Sequence, residues 1–152
     1  MQNTLTQVQL AAPYLILIGQ QDDPTYAKTG FGIVQWRPEL VTGQLRFPGC
    51  TVDLGVPDMT VAQAIAAGAR SLVIGVAPVG GAIPDSWWEI IEGAARAGMD
   101  IVSGLHIKLN DRASLVAIAK DSGAKLIDVR TPPRNLPVGN GKKRSGRRVL
   151  MV

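Results

Sequence analysis

An α/β fold is predicted for this chain: a Rossmann- or flavodoxin-like three-layer sandwich around a mostly parallel five-stranded sheet. Three observations carry that expectation. First, short apolar runs such as Leu72–Ala77 lack polar alternation, as strands buried on both faces do. Second, glycine and proline follow such a run at once, in Pro78-Val79-Gly80-Gly81, before a helical pattern begins. Third, a helix ends in glycine and a strand follows within about three residues on three occasions, in GARSLVIG, GMDIVSG and GAKLIDV. Alternating strands and helices imply parallel pairing with helices on both faces, and right-handed crossovers leave few topologies. The order expected is 2-1-3-4-5, with its switch point between the first and third strands.

The elements follow in order. Residues 1–12 read as a lead-in, and 13–130 as the domain. Tyr14–Ile18 is the first strand, ending at Gly19. A helix is expected over Tyr26–Trp36, stopped before Pro38, although its two glycines oppose helix formation. Leu40–Phe47 mixes β-formers with polar residues and gives the second strand. Pro48–Met59 is loop, with turn chemistry in its glycines and prolines. Thr60 and Gln63 have the spacing of a capping box, which opens a helix ending near Gly68. Ser71–Ala77 is the central strand. Ser86 and Glu89 have the same box spacing, for a helix over Ser86–Ala97. Asp100–Leu105 is a strand, Asn110 is expected to cap a helix running to Ser122, and Lys125–Val129 closes the sheet.

Composition narrows the class. The 152 residues suffice for one domain with a real core, and 46% hydrophobic against 18% charged residues excludes disorder. No apolar run approaches a membrane span, and the first ten residues lack a signal-peptide pattern, so a cytoplasmic protein is expected. The net charge of +4 is uneven: six of sixteen basic residues lie beyond Thr131, where no acid occurs. The rest holds ten basic against twelve acidic residues, a net of −2, which argues against nucleic acid as a partner. Residues 131–147, rich in proline, glycine and cations, read as a basic linker. The apolar run Arg148–Val152 then reads as the first strand of a further domain.

Candidate chemistry gathers at the carboxyl ends of the strands, where such sheets bind ligands. Gly80 and Gly81 stand between a buried strand and a helix start. They form either a tight turn or a loop offering backbone N–H groups to an anion. His106, the single histidine, follows the fourth strand; acid–base work and simple packing both stay open. Ser103 belongs to the same SGLH segment. Asp128 and Arg130 close the fifth strand, either as a mutual pair or as contacts for a hydroxyl and an anion. Lys28 and Thr29 are placed to meet an anion beside the first loop, or to sit on a solvated helix face. Trp87 is assigned to the core and Trp36 to a plug at a helix end, while Trp88 is left to cover an edge, a partner or a ligand. Cys50 reads as a buried small hydrophobe, and one histidine with one cysteine makes no usual zinc set.

The segments AKTGFGIVQWRPE, GQLRFPGCTVDLGVPDMT, LVIGVAPVGGAIPDSW, DIVSGLHIKL and IDVRTPPRNLPVGNGKKRSGRRVLMV, in that order, resemble the N-terminal domain of the DgcN-type family. That family was long described only by a domain of unknown function. The resemblance implies a Rossmann-like domain followed by a P-loop domain, and an activity found in some members: N-acetylation of D-glutamate. It implies acetyl-CoA, or a nucleotide, as the bound partner of the intact protein. The GTD-x-x-x-GK phosphate loop that follows the Arg148–Val152 strand in the family does not occur here. Three functional readings result. The chain is the ligand-binding half of an acetyltransferase, inactive alone, with His106 as proton carrier and Arg130 or Lys28 meeting a carboxylate. Or it is a non-catalytic module for a nucleotide or carboxylate. Or it builds a homo-oligomer interface through Trp88 and residues 36–50.

Overall fold

The computed structural model describes residues 8–132, 141–142 and 145–146. Five strands form one sheet: β1 (Tyr14–Gly19), β2 (Val41–Arg46), β3 (Ser71–Ile74), β4 (Asp100–Ser103) and β5 (Leu126–Asp128). The order is β2-β1-β3-β4-β5 and every pair is parallel, as the sequence pattern predicts. Four helices connect them: α1 (Lys28–Trp36), α2 (Val61–Ala66), α3 (Trp88–Arg96) and α4 (Ala113–Ser122). The chain runs one way across the sheet through α1 and the other way through α2, α3 and α4. Right-handed crossovers therefore put α1 on one face and the other three on the opposite face.

All six residues of β1 are buried, which the uninterrupted apolar run requires of a central strand. Of the two glycines that speak against a helix at α1, Gly30 has a packing reason, while Gly32 faces open space. A side chain at Gly75 would collide with Ile16 and come 3.2 Å from the Gly30 backbone. Gly30 N–H instead donates to Gly75 O at 2.8 Å, so helix and sheet meet backbone to backbone. The helix starts two residues later than expected because Asp23 caps a separate 3-10 turn, Pro24–Ala27, accepting from Thr25 N at 2.8 Å.

The Thr60 capping box forms with both reciprocal bonds, Gln63 N to Thr60 Oγ1 at 3.2 Å and Thr60 N to Gln63 Oε1 at 2.9 Å. The Ser86 box does not form. Pro84 precedes a 3-10 turn over Asp85–Trp87, and α3 opens at Trp88 with no side-chain cap. That turn carries the Trp87 ring under Gly19, with Phe47 edge-on at 6.0 Å. Trp87 is core, at 2% exposure, although its indole N–H has no partner. Nor does Asn110 cap α4; that position falls to Arg112, and the Asn110 amide turns to β5.

Of the other tryptophans, Trp36 departs from expectation and Trp88 takes one of its open roles. Trp88 is buried, with the Arg112 guanidinium stacked 4.2 Å from its ring centre, so it offers no partner surface. Arg112 is fixed in turn by Glu92 at 2.9 Å. Trp36 is 76% exposed and plugs nothing. Cys50 is half-buried, its thiol donating to Gln21 O at 3.1 Å. The lead-in is less loose than expected near its end, since Leu10 and Ala12 pack beside Tyr14, Val73 and Val102. Most of the expected linker over 131–147, and the whole strand expected over 148–152, lie outside the described residues.

Candidate functional site

With every strand parallel, all carboxyl ends reach one rim, and the loops after β3, β4 and β5 share it. Gly80 and Gly81 both take positive φ, +80° and +67°, in a tight turn that only glycine adopts without strain. The Gly81 N–H donates to Pro78 O at 2.8 Å. It is therefore spent on the turn and not offered to an anion, which corrects one role expected of this loop. Its actual contribution is space: a Cβ at Gly81 would lie 2.7 Å from His106 Cδ2. The missing side chain lets the imidazole lie against the loop.

His106 is exposed, and Arg130 Nη1 stands 3.4 Å from its Nε2. The guanidinium can only donate, so the contact is a hydrogen bond in the tautomer whose Nε2 accepts. Arg130 does not pair with Asp128. The Asp128 carboxylate accepts instead from Leu109 N at 2.8 Å, Asn110 N at 3.3 Å and Asn110 Nδ2 at 2.7 Å. It thereby ties the loop after β4 to the end of β5. Ser103 is buried at 1% exposure beneath the rim, its Oγ accepting from Leu105 N at 3.2 Å. It shapes the loop and does not face the surface.

Above these groups lies a cavity of about 230 Å³, lined by Leu105, His106, Lys108, Asp128, Arg130 and Thr131. Lys108 and Thr131 are the members that the sequence reading missed. The signal for Lys108 was its place in the loop that follows β4, two residues after His106. Lys28 and Thr29 are exposed at the start of α1 and do not line this cavity. The expected meeting of loops at the switch point does occur, with Ala77 N–H donating to Tyr26 O at 2.8 Å. There the Trp87 ring seats against Gly19, while the cationic cavity opens two strands further along. A second, more apolar cavity of about 560 Å³ runs between the end of β2, the start of α2 and Ile90. Among the described residues no group of three or more His, Cys, Asp or Glu is placed to hold a metal ion. Among them, too, no helix is long and apolar enough to cross a membrane.

Fold and rim together define a Rossmann-like α/β domain with a cationic cavity at the carboxyl end of its sheet. The chain belongs to the DUF1611_N family, a Rossmann-like domain of unknown function, whose family model matches residues 45–132. All six cavity-lining residues fall inside that match; Lys28 and Thr29 do not. The chain is 43% identical over 143 residues to a D-glutamate N-acetyltransferase of Tritonibacter scottomollicae, covering 94% of this chain and 43% of that protein. It is 38% identical over 145 residues to a D-glutamate N-acetyltransferase of a Pseudoalteromonas species, covering 95% and 44%. It thus spans well under half the length of the curated relatives it matches. The crystal structure of a DUF1611 family protein from Anabaena variabilis ATCC 29413 has the same fold, with a TM-score of 0.71 at 31% identity over 86% of this chain and 40% of that one.

Proposed function

We propose that this chain is the Rossmann-like, ligand-binding half of an acetyl-CoA-dependent N-acetyltransferase acting on D-glutamate. The carrying observation is identity of 43% and 38%, over nearly the whole chain, to two proteins with that activity in their names. On this reading residues 13–130 form the domain, 131–147 link it onward, and 148–152 open a P-loop domain that holds the acyl donor. The intact protein is then a cytoplasmic homo-oligomer.

The chemistry sets what the rim must supply. The substrate amine attacks the thioester carbonyl carbon; the N–C bond forms, the C–S bond breaks, and the CoA thiolate leaves. The amine must lose a proton to react, so a base belongs within hydrogen-bond reach of it. His106 is our candidate, exposed beside the cationic cavity. In the intact protein, His106→Ala is expected to lower kcat by roughly 10²–10⁴-fold with little change in KM. Turnover at the wild-type rate would remove His106 from the reaction. An intact protein that acetylates no D-glutamate would overturn the reading as a whole.

A second reading, in which the domain only binds ligand and leaves the chemistry to its neighbour, draws on the position of Arg130 over the His106 Nε2 lone pair. The same substitution separates the two, because a binding-only role moves KM and leaves kcat alone.

A further inference from the structure

Among the described residues, ion pairs are made by Arg37, by Arg46 (twice) and by Arg112. Arg130 and Lys108 make none of them, yet they line one small cavity together. The one carboxylate in that wall, Asp128, already accepts three N–H donors. Its ordinary capacity is about four such bonds, so little of it remains for a cation. Two cations against one carboxylate leave the wall net positive, a place for an anion from outside.

The character of that anion follows from the same wall. A cavity of about 230 Å³ is smaller than the roughly 300–1,000 Å³ typical of drug-sized ligands, so it takes a small molecule or one end of a larger one. The Asp128 charge in the wall disfavours a phosphate dianion. The nearby glycine loop, whose N–H groups would suit phosphate, has its Gly81 donor tied to Pro78. A planar carboxylate, in contrast, matches the two-pronged guanidinium, with Lys108 as a point charge beside it.

We propose that Lys108 and Arg130 form a clamp for the side-chain carboxylate of an acidic amino acid, and so determine specificity for a dicarboxylate. This rests on the reading of the chain as half of a D-glutamate acetyltransferase. It adds which residues read the second carboxylate. It also assigns the Arg130–His106 contact a function. When the guanidinium turns to the incoming carboxylate, it releases the Nε2 lone pair, and the imidazole becomes a free acceptor only with substrate present.

The single histidine makes the test direct, because one set of imidazole resonances reports on the cavity without assignment. The 152-residue chain is titrated with D-glutamate, glutarate, D-glutamine and inorganic phosphate while the His106 imidazole ¹H and ¹⁵N signals are followed. D-Glutamate and glutarate are expected to shift them saturably. D-Glutamine, which lacks the second charge, is expected to bind at least about tenfold more weakly, the order of effect of one lost charge-assisted contact. Lys108→Gln and Arg130→Gln should each weaken glutarate by a similar factor, with Arg130→Lys recovering part of the loss. Both side chains sit in exposed loops, so an unchanged thermal midpoint certifies the fold. Equal response to D-glutamate and D-glutamine, or no saturable response to either dicarboxylate, would overturn the clamp. A response to phosphate alone would do so too. None of those outcomes touches the acetyltransferase reading, which turnover by the intact protein decides.

Discussion

Two ends of the same sheet handle charge in opposite ways. At the β2 edge, Gln44 is 1% exposed and uses its amide fully: it donates to Asp53 Oδ1 at 2.8 Å and Val56 O at 3.0 Å, and accepts from Leu54 N at 2.8 Å. Arg46 forks onto both oxygens of Asp58 and reaches Asp53 at 3.6 Å. The bond from Arg46 holds the Asp58 carboxyl below its usual range, and the Gln44 amide with the Gly55 N–H does the same for Asp53. At the β4–β5 rim the composition is similar, an arginine close to an aspartate, but Asp128 faces backbone donors and Arg130 faces an imidazole. The difference teaches where to look for ligand. A charge answered within the chain is holding the fold, and one left unanswered beside a cavity is available to something else.

Three experiments press on that contrast. Removing the hub of the answered network should matter most. Gln44→Ala strands a buried N–H, leaves Val56 O without its amide donor and takes one of two N–H donors from Asp53 Oδ1, for a loss of about 3 kcal/mol in chemical denaturation. A loss below about 1 kcal/mol would mean that water replaces the amide and the edge is not a sealed network. Next comes the pin of the unanswered rim. Asp128→Ala frees three N–H donors on a half-buried loop, for an expected loss of about 1–2 kcal/mol, together with loss of the glutarate response. A glutarate response that survives that change would show the cavity to be shaped without it. The smallest effect is on acid stability. Asp53, Asp58 and Glu92 are all held below ordinary carboxylate values in the folded chain, Glu92 chiefly by Arg112. Their contribution is complete above the unfolded value near about 4 and fades as pH falls through the depressed ones. The thermal midpoint should stay level from neutral pH to about 5 and drop below about 4, and less steeply in Glu92→Gln. An equally steep drop in that variant would clear Glu92 of any part in it.

The sheet was legible because its cause is local and repeated. Each buried strand shows as an apolar run, each αβ turn as a glycine, and parallel order follows from chirality. Capping was legible only where nothing competed. Thr60 caps because no neighbouring demand intervenes, whereas Ser86 loses to Pro84 and to the burial of Trp87 three residues after the proline. The exposure of Trp36 was misjudged and that of Trp88 left open for the same reason: it depends on Arg112, 24 positions away, and on where α1 ends over the sheet. At the rim, topology alone placed Gly81, His106 and Arg130 together. Their mutual roles were not legible, since which donor meets which acceptor depends on distances of a few tenths of an ångström. Asp128 looked like the natural partner of Arg130 in sequence, and its bonds to Leu109 and Asn110 come from a loop 19 and 18 residues upstream.

The contact between Gly30 and Gly75 carries one more consequence. Where two main chains touch and share a bond, neither can slide without forfeiting it, and an added methyl on the strand side has to evict Ile16 from the middle of the molecule. The first helix is therefore bolted at a fixed height against the third strand. Any breathing at the mouth must come from the hoops after the third, fourth and fifth strands, over a floor that stays still.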